Sequence, residues 1–324
     1  MTGGSGVVGA AVVRALAESG HQTRILARSP AKVAAGPSEV VFGDVNHPHT
    51  LAEAASGCEA IVHCAADYRL ALRAADVSSM VATNVGGTRN VLRAASKAGV
   101  RRVVHCSTVG TLAFERGGRV LTEVDQAKDP ATLAGPYKRS KWVAERIALG
   151  CRDLEVVVVQ PSTPVGSGDV RPTPTGATIR DFLAGRIPAF VATGLNLVDV
   201  EAVGRGHVLA LERGVPGRSY ILGDRNLTMA QLLAEVAVRA GVRPPRWRIP
   251  LGIAYATAAA SEVAGWVRQR PPQIPLTAVR MAGHPMWVDS RRAQEELGWS
   301  PGDLDRALRE AVMELRVRRQ GAGS

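Results

Sequence analysis

Tyr137 and Lys141 stand four residues apart in Tyr137-Lys138-Arg139-Ser140-Lys141. At helical spacing the two side chains share one face. A free phenol, with a pKa near 10, is a poor base at neutral pH. A neighbouring ammonium favours the phenolate, and an oxidised nicotinamide adds a second positive charge. The pair therefore suits moving a hydroxyl proton while hydride joins or leaves the same carbon, and Lys141 can also hold a nicotinamide ribose. Chance would put only about 0.06 such pairs in a chain with four tyrosines and five lysines. Upstream, His105-Cys106-Ser107-Thr108-Val109 ends a β-rich run in hydroxyls. Thr108, with Ser107 as neighbour or substitute, is placed to hydrogen-bond a substrate carbonyl or alcohol beside Tyr137. Capping of the strand end is the structural use of the same residues.

A hydride carrier needs its own cradle, and the first residues supply one. Thr2-Gly3-Gly4-Ser5-Gly6-Val7-Val8-Gly9 satisfies G-x-x-G-x-x-G through Gly3, Gly6 and Gly9, and G-x-G-x-x-G through Gly4, Gly6 and Gly9. Such a loop turns tightly, brings bare backbone against a pyrophosphate and aims a helix N-terminus at the charge. The helical pattern that starts at Val7 separates it from a flexible Gly-Ser leader. Further on, Ile25-Leu26-Ala27-Arg28-Ser29 ends a strand without the acid that would accept from the ribose hydroxyls of NAD. Arg28 instead offers a fork of donors to a 2′-phosphate, which favours NADP(H), with NAD(H) as the alternative. After the next strand, Asp44 is placed to accept from the adenine amino group. The strand that should precede the glycine loop is absent from the chain. This predicts a vacant central position in the sheet, and a start read from a valine codon with a short β-branched run encoded upstream.

The elements that must position these residues alternate. Helical patterns cover 7–18, 76–98 and 137–149, and β-rich runs cover 23–27, 39–42, 59–65, 102–107 and 156–160. The run beginning Val156-Val157-Val158-Val159 is continuous enough to be buried on both faces, as in parallel sheets. The pattern predicts an α/β fold, a doubly wound parallel sheet of the Rossmann kind over 1–160. A smaller mixed lobe over 161–324, mainly for substrate, lies across the carboxyl edge of the sheet.

The chain has 324 residues, 46% hydrophobic and 21% charged, which excludes wholesale disorder. Its net charge of +11 is almost all arginine and is scattered, and aromatics are only 4%. That argues against a base-stacking platform and against nucleic acid as a partner. Four cysteines without a C-x-x-C pair fit a reducing compartment and no zinc ribbon. No metal is expected: His47-Pro48-His49 lacks ligands nearby except Asp44, and His63 and His105 fall on buried strands. Gly298-Trp299-Ser300-Pro301-Gly302 matches a nucleophile-elbow pattern but follows a helical segment and has no histidine after it, so it is a turn. No secretory signal opens the chain. The Ala-rich stretch 249–267, which carries Glu262, is expected as a helix packed in the domain, with a membrane-surface helix as the alternative.

Together these motifs resemble the extended short-chain dehydrogenase/reductases, also called NAD-dependent epimerase/dehydratases, over nearly the whole chain. Within that family the chain is similar to the hopanoid-associated sugar epimerases, which themselves look like dihydroflavonol 4-reductases. The likeness is carried by Ala65-Ala66-Asp67-Tyr68-Arg69-Leu70, Gly135-Pro136-Tyr137, Gln160-Pro161-Ser162-Thr163-Pro164 and Arg171-Pro172-Thr173-Pro174-Thr175-Gly176. The resemblance implies Thr108, Tyr137 and Lys141 as the catalytic set and Gly3, Gly6 and Gly9 at the pyrophosphate. It puts Arg28, Asp44 and Val45 at the adenosine end, and Ala65, Lys141, Pro161 and Thr163 toward the nicotinamide. Tyr68, Arg69, Arg171 and Thr173 would line the substrate pocket. Asp199 departs from the pattern, which leads one to expect histidine there. The implied activity is NAD(P)-dependent oxidation, reduction or epimerisation at a sugar or sugar-like hydroxyl or carbonyl in hopanoid side-chain biosynthesis. The alternatives are an NADPH-dependent carbonyl reductase and a non-catalytic cofactor-binding regulator. Its partners would be a small molecule (a sugar or glycosylated lipid) and, by likeness, a second copy in a homodimer. Its place would be the cytoplasm, with peripheral contact at the inner membrane face.

Overall fold

The computed structural model describes residues 1–29, 38–69, 72–114, 117–169 and 172–321. The dinucleotide-type half begins with α1 (Val7–Glu18), β1 (Arg24–Ala27), β2 (Glu39–Phe42), α2 (His49–Ala55) and β3 (Ala60–His63). It continues through α3 (Val77–Val81), a π-turn (Ala82–Gly86), α4 (Gly87–Lys97), β4 (Arg102–Cys106), α5 (Gly135–Leu149) and β5 (Glu155–Pro161). In β5 the sequence Val156-Val157-Val158-Val159 is buried on both faces, as its unbroken apolar run demands.

The second half contains β6 (Thr163–Val165), α6 (Pro174–Leu183), β7 (Ala189–Val191), β8 (Gly194–Asp199), α7 (Val200–Arg213) and β9 (Ser219–Leu222). It ends with β10 (Arg225–Thr228), α8 (Met229–Ala240), β11 (Trp247–Ile249), α9 (Leu251–Val267), α10 (Leu276–Ala282), α11 (Arg291–Leu297) and α12 (Leu304–Gly321).

All pairings in the main sheet are parallel: β1 with β2, and β3-β4-β5-β9 in that order. The two parts meet through Thr2, which bridges Leu26 on one side and His63 on the other. The central position expected to be vacant is thus held by two residues: Leu26 N donates to Met1 O (2.8 Å), and Thr2 N to Val62 O (3.0 Å). Helices cover both faces. Val12, Leu16, Val203 and Ala210 of α1 and α7 pack on Val157, Val159 and Tyr220. On the other face, Val91, Leu92, Ala95 and Ala148 of α4 and α5 cover Val103, Val156 and Val158.

The chain position 160 is not a boundary in space. After entering the second half, the backbone returns as α7 and β9 to complete the first sheet. What remains is a small layer. β8 pairs β10 antiparallel and β6 parallel, and these strands share a core with α6, α8 and α12 around Ile179, Leu197, Leu232 and Leu308.

Two expected helices differ. The helix predicted over 76–98 runs without interruption from Val77 to Lys97, but with a π-turn in its middle, whose extra residue buries Asn84. Its amide donates to Asp67 O (3.1 Å) and Ser140 Oγ (2.9 Å) and accepts from Asp67 N, which offsets the irregular turn. Of the stretch 249–267, Leu251–Val267 is helical as α9, and it packs on the domain by one narrow face only. Within α9 only Ala254, Ala258 and Gly265 are buried, while Ile253, Val263, Trp266 and Val267 are exposed.

Candidate active site

The glycine loop is shaped by exclusion. A Cβ on Gly3 (φ +79°) would lie 2.6 Å from Ala65 N, and one on Gly9 would lie 2.0 Å from Gly3 O. Gly6 begins α1 without any side-chain cap, and no acid occupies the first helical turn. The first-turn N–H groups thus have neither an internal partner nor a competing carboxylate, which suits an anion at the positive end of the helix. The residues present therefore fit a dinucleotide pyrophosphate. Ala65 lies against this loop, its N donating to Thr2 Oγ1 (3.3 Å). Arg28 is exposed just past β1. Past β2, Asp44 Oδ1 accepts from Asn46 N (2.9 Å), and buried Val45 gives its carbonyl to Asn90 Nδ2 (2.8 Å).

Beside the loop opens a cavity of about 530 Å³ that brings together Gly3, Gly6, Gly9, Tyr68, Thr108, Tyr137, Lys141, Pro161, Thr163 and Thr173. Tyr137 is in the first turn of α5, with Pro136 at the helix start. Its ring lies 4.4 Å from that of Tyr68, centre to centre. Burial pushes the Tyr137 phenol well above its usual range, and Tyr68 adds to this. Tyr68 itself is pushed up to about 12 by burial and the nearby charge of Asp169. Lys141 is buried and donates to Cys106 O (2.6 Å). Burial lowers its pKa against the opposing pull of Cys106, Cys64 and Glu145. Desolvation of the phenolate is the largest influence on Tyr137, and the Lys141 ammonium is engaged by the end of β4.

The two hydroxyls at that strand end separate clearly. Ser107 is buried and donates to Glu145 Oε2 (2.5 Å). The same carboxylate takes Thr111 Oγ1 (3.0 Å) and Gln160 Nε2 (3.1 Å), tying β4, β5 and α5 together. Thr108 lines the cavity, and its Oγ1 accepts from Gly110 N (3.1 Å), leaving its own proton to donate.

Some expected substrate contacts are placed elsewhere. Arg69 is ion-paired with Asp67 and is not part of the cavity lining, because the carboxylate two residues away captures its guanidinium. Arg171 lies outside the described residues. Asp199, found where histidine was expected, is buried and caps α7 by accepting from Glu201 N (2.9 Å), with Arg306 Nη2 3.2 Å away. Thr173 lines the cavity and caps α6, donating to Asp169 Oδ2 (2.9 Å). Gly298 ends α11 in a left-handed turn, and Trp299 is buried, as expected of a turn rather than a nucleophile elbow. His63 is buried between Thr2 and Thr88, and burial lowers its pKa to about 3.

Several residues of the site escaped the motifs. Lys138 is buried in the cavity wall, its Nζ 3.1 Å from Met286 Sδ and 4.9 Å from the centre of the Phe114 ring. Without a carboxylate partner, burial lowers it to about 8. Ser162 Oγ and His284 Nδ1, both on lining residues, are buried without partners. Under the floor, Cys64, Cys106 and His207 bring their sulfur and nitrogen atoms within 4.8 Å of one another. A hydrogen bond from Cys64 holds the Cys106 thiol well below its usual range. Lys138, Ser162 and Cys106 fall inside stretches the sequence already singles out, whereas Cys64, His207 and His284 carry no local signal of such a place.

A doubly wound sheet, a glycine loop at a helix N-terminus and a tyrosine–lysine pair over the same cavity define a dinucleotide-dependent enzyme. The chain belongs to the NAD dependent epimerase/dehydratase family, whose model matches residues 1–223. A Synechocystis sp. protein bearing the name of a dihydroflavonol 4-reductase is 38% identical over 321 residues, 96% of this chain and 92% of its own. Sterol demethylase protein B of Methylococcus capsulatus is 31% identical over 325 residues, 98% of each chain. The crystal structure of gox2253 superimposes with a TM-score of 0.86 at 38% identity, covering 98% of this chain and 97% of that one.

Proposed function

We propose that the chain is an NADP(H)-linked reductase or dehydrogenase acting at a secondary hydroxyl, or the matching carbonyl, on an apolar body. A sugar-like side chain carried on a polycyclic lipid, as in hopanoid biosynthesis, is the substrate class this reading favours. The observation that carries it is the composition of the cavity. Its walls include Phe190, Val191, Leu195, Leu233, Met281 and Met286, interspersed with the neutral hydroxyls of Thr108, Tyr137, Ser162, Thr163, Thr173, Thr175, Thr178 and Thr193. The cavity's described charged residues are Lys138 and Lys141, and the latter is already engaged by Cys106 O. A sugar-nucleotide diphosphate would find little to pair with, whereas a neutral, largely apolar molecule is well matched. The names of the two relatives, a flavonol reductase and a sterol demethylase protein, point the same way.

Gly3, Gly6 and Gly9 would hold the pyrophosphate, Arg28 the 2′-phosphate, and Asp44 with Val45 the adenine. Lys141 would hold the ribose, and Ala65, Pro161 and Thr163 would lie toward the nicotinamide, which when bound supplies or accepts the hydride. The chain's own part is proton handling and orientation. Thr108 donates to the substrate oxygen and aligns it. Tyr137, protonated through neutral pH because it is buried, delivers its proton to that oxygen in reduction. The Tyr68 ring covers Tyr137 and limits water at the reacting atoms. The test follows absorbance at 340 nm with NADPH and a carbonyl form of a hopanoid or steroid alcohol. Steady loss of NADPH with alcohol formation is expected. Flat absorbance in this assay, with the alcohol itself converted to its diastereomer when oxidised cofactor is supplied, would replace net reduction by epimerisation, and failure to bind either cofactor would overturn the reading.

A further inference from the structure

Helix α9 is built inside out. Its buried stripe is small: Ala254 and Ala258 seat it on Leu276 and Val279 of α10 and Gly265 lies against Arg270 and Pro272, while its outward side carries Ile253, Tyr255, Val263, Trp266 and Val267. A surface helix of a water-soluble protein has the reverse arrangement, apolar toward the core and charged outward. Only one ionisable carboxylate, Glu262, belongs to α9, and it accepts from Leu276 N (3.0 Å) instead of facing water. Nine of the eighteen exposed large hydrophobic residues described in the chain fall within 241–284. So dense a patch is not the scattered exposure that any soluble surface shows.

The charges around this helix say what covers it. Arg243, Arg246 and Arg248 precede it, Arg268 and Arg270 follow it, and Arg280 is on the adjoining α10. All six are exposed, and none has a carboxylate within ion-pair distance among the described residues. Glu262 is the sole acid in 241–284, so this short segment holds +5 of the chain's +11. Trp247 and Trp266 stand near the two ends of α9, both more than three-quarters exposed. An apolar helix bounded by tryptophans and unpaired arginines is complementary to a bilayer surface with anionic headgroups. Its 17 residues extend about 25 Å, suited to lying in the interface rather than spanning it. Among the described residues no helix is long and apolar enough to cross a membrane.

We propose that α9, with its flanking arginines, docks the protein on an anionic phospholipid bilayer, its long axis along the surface. The docking element is continuous with the cavity wall. β11, just before α9, pairs with β7 so that Arg248 faces Phe190 and Ile249 faces Val191 in register. Both Phe190 and Val191 line the cavity, as do Ala278, Met281 and Ala282 of α10. A substrate dissolved in the bilayer would thus meet the apolar wall of the cavity without first entering bulk water.

The test is flotation of the full chain with vesicles of phosphatidylcholine alone or mixed with phosphatidylglycerol. It reads binding directly, so failure of the hydride-transfer reading would leave it interpretable. Flotation with the phosphatidylglycerol vesicles is expected, with a blue shift of tryptophan fluorescence and release by high salt. Combined Arg246→Glu and Arg268→Glu should weaken it at least tenfold, by about one power of ten or more. Combined Ile253→Ser, Val263→Ser and Trp266→Ser should abolish it while leaving cofactor binding and circular dichroism unchanged. The proposal is overturned if the wild type does not float with anionic vesicles, floats equally well with neutral ones, or keeps its binding after the serine substitutions. It is also overturned if those serine substitutions abolish a dimer seen by sedimentation in a protein that ignores vesicles, since a second copy would then cover α9.

Discussion

Replacing Lys138 by methionine should stabilise the protein at neutral pH, and the pH dependence of the gain identifies its cause. Burial lowers this amine from 10.5 to about 8, a difference worth ~3 kcal/mol at about 1.4 kcal/mol per unit. Because the folded-state value is the lower one, the penalty is complete below pH ~8, where both states are charged. It fades as pH rises toward 10.5, where both become neutral. Methionine keeps the length of the side chain but gives up the cation's contact with the Phe114 ring, 4.9 Å from its centre, at a cost of ~1 kcal/mol. The net gain is then ~2 kcal/mol at pH 7, falling below ~1 kcal/mol by pH 10. Urea unfolding of both proteins at the two pH values measures it. A gain that is the same at both pH values, or a loss at pH 7, would refute the view that Lys138 is an uncompensated buried cation.

Three other outcomes follow from the site. Tyr137→Phe should lower kcat by ~10²–10⁴ while sparing cofactor binding; in the wild type, reduction should stay level through neutral pH and oxidation should rise with pH, because burial raises the phenol's pKa, and stopped-flow pH profiles in both directions check this. Ser107→Ala should cost ~1–3 kcal/mol of stability by uncovering one side of buried Glu145, whereas Thr108→Ala should cost no more than ~1 kcal/mol, for the lost acceptor of Gly110 N, and slow turnover ~100-fold. Arg28→Asp should weaken NADPH binding at least ~10-fold and improve NADH binding, measured by fluorescence titration of each cofactor.

What was legible in the chain was local. The glycine loop leading at once into α1, the tyrosine and lysine one turn apart, and the four valines of β5 each express their geometry within a few residues. Where partners lie far off in sequence, the pattern was blind. Nothing near Ser107 reveals that Glu145 will claim its hydroxyl, which is what leaves Thr108 as the hydroxyl facing the cavity. The π-turn within 76–98 brings Asn84 against Asp67 and Ser140, and no helical period encodes that. Arg69, to which the resemblance gives a substrate role, pairs instead with Asp67 two residues away. The apolar run of α9 looked like core for a simple reason: hydropathy records what a residue prefers, not whether the fold has a place to put it.

The return of α7 and β9 into the first sheet governs how the molecule can be taken apart. A fragment stopped at residue 160 would leave one edge of β5 bare and strip the helix that covers Val12 and Leu16 of α1, so it should collapse or aggregate instead of folding as a free nucleotide-binding unit. Because β9 runs on through Gly223 and Asp224 into β10, the two halves are stitched at a second point beyond the crossing at Pro161–Thr163. Shear between the layers would have to strain both stitches together, which makes small loop adjustments around the cavity, not hinge opening of whole lobes, the economical way for substrates to come and go.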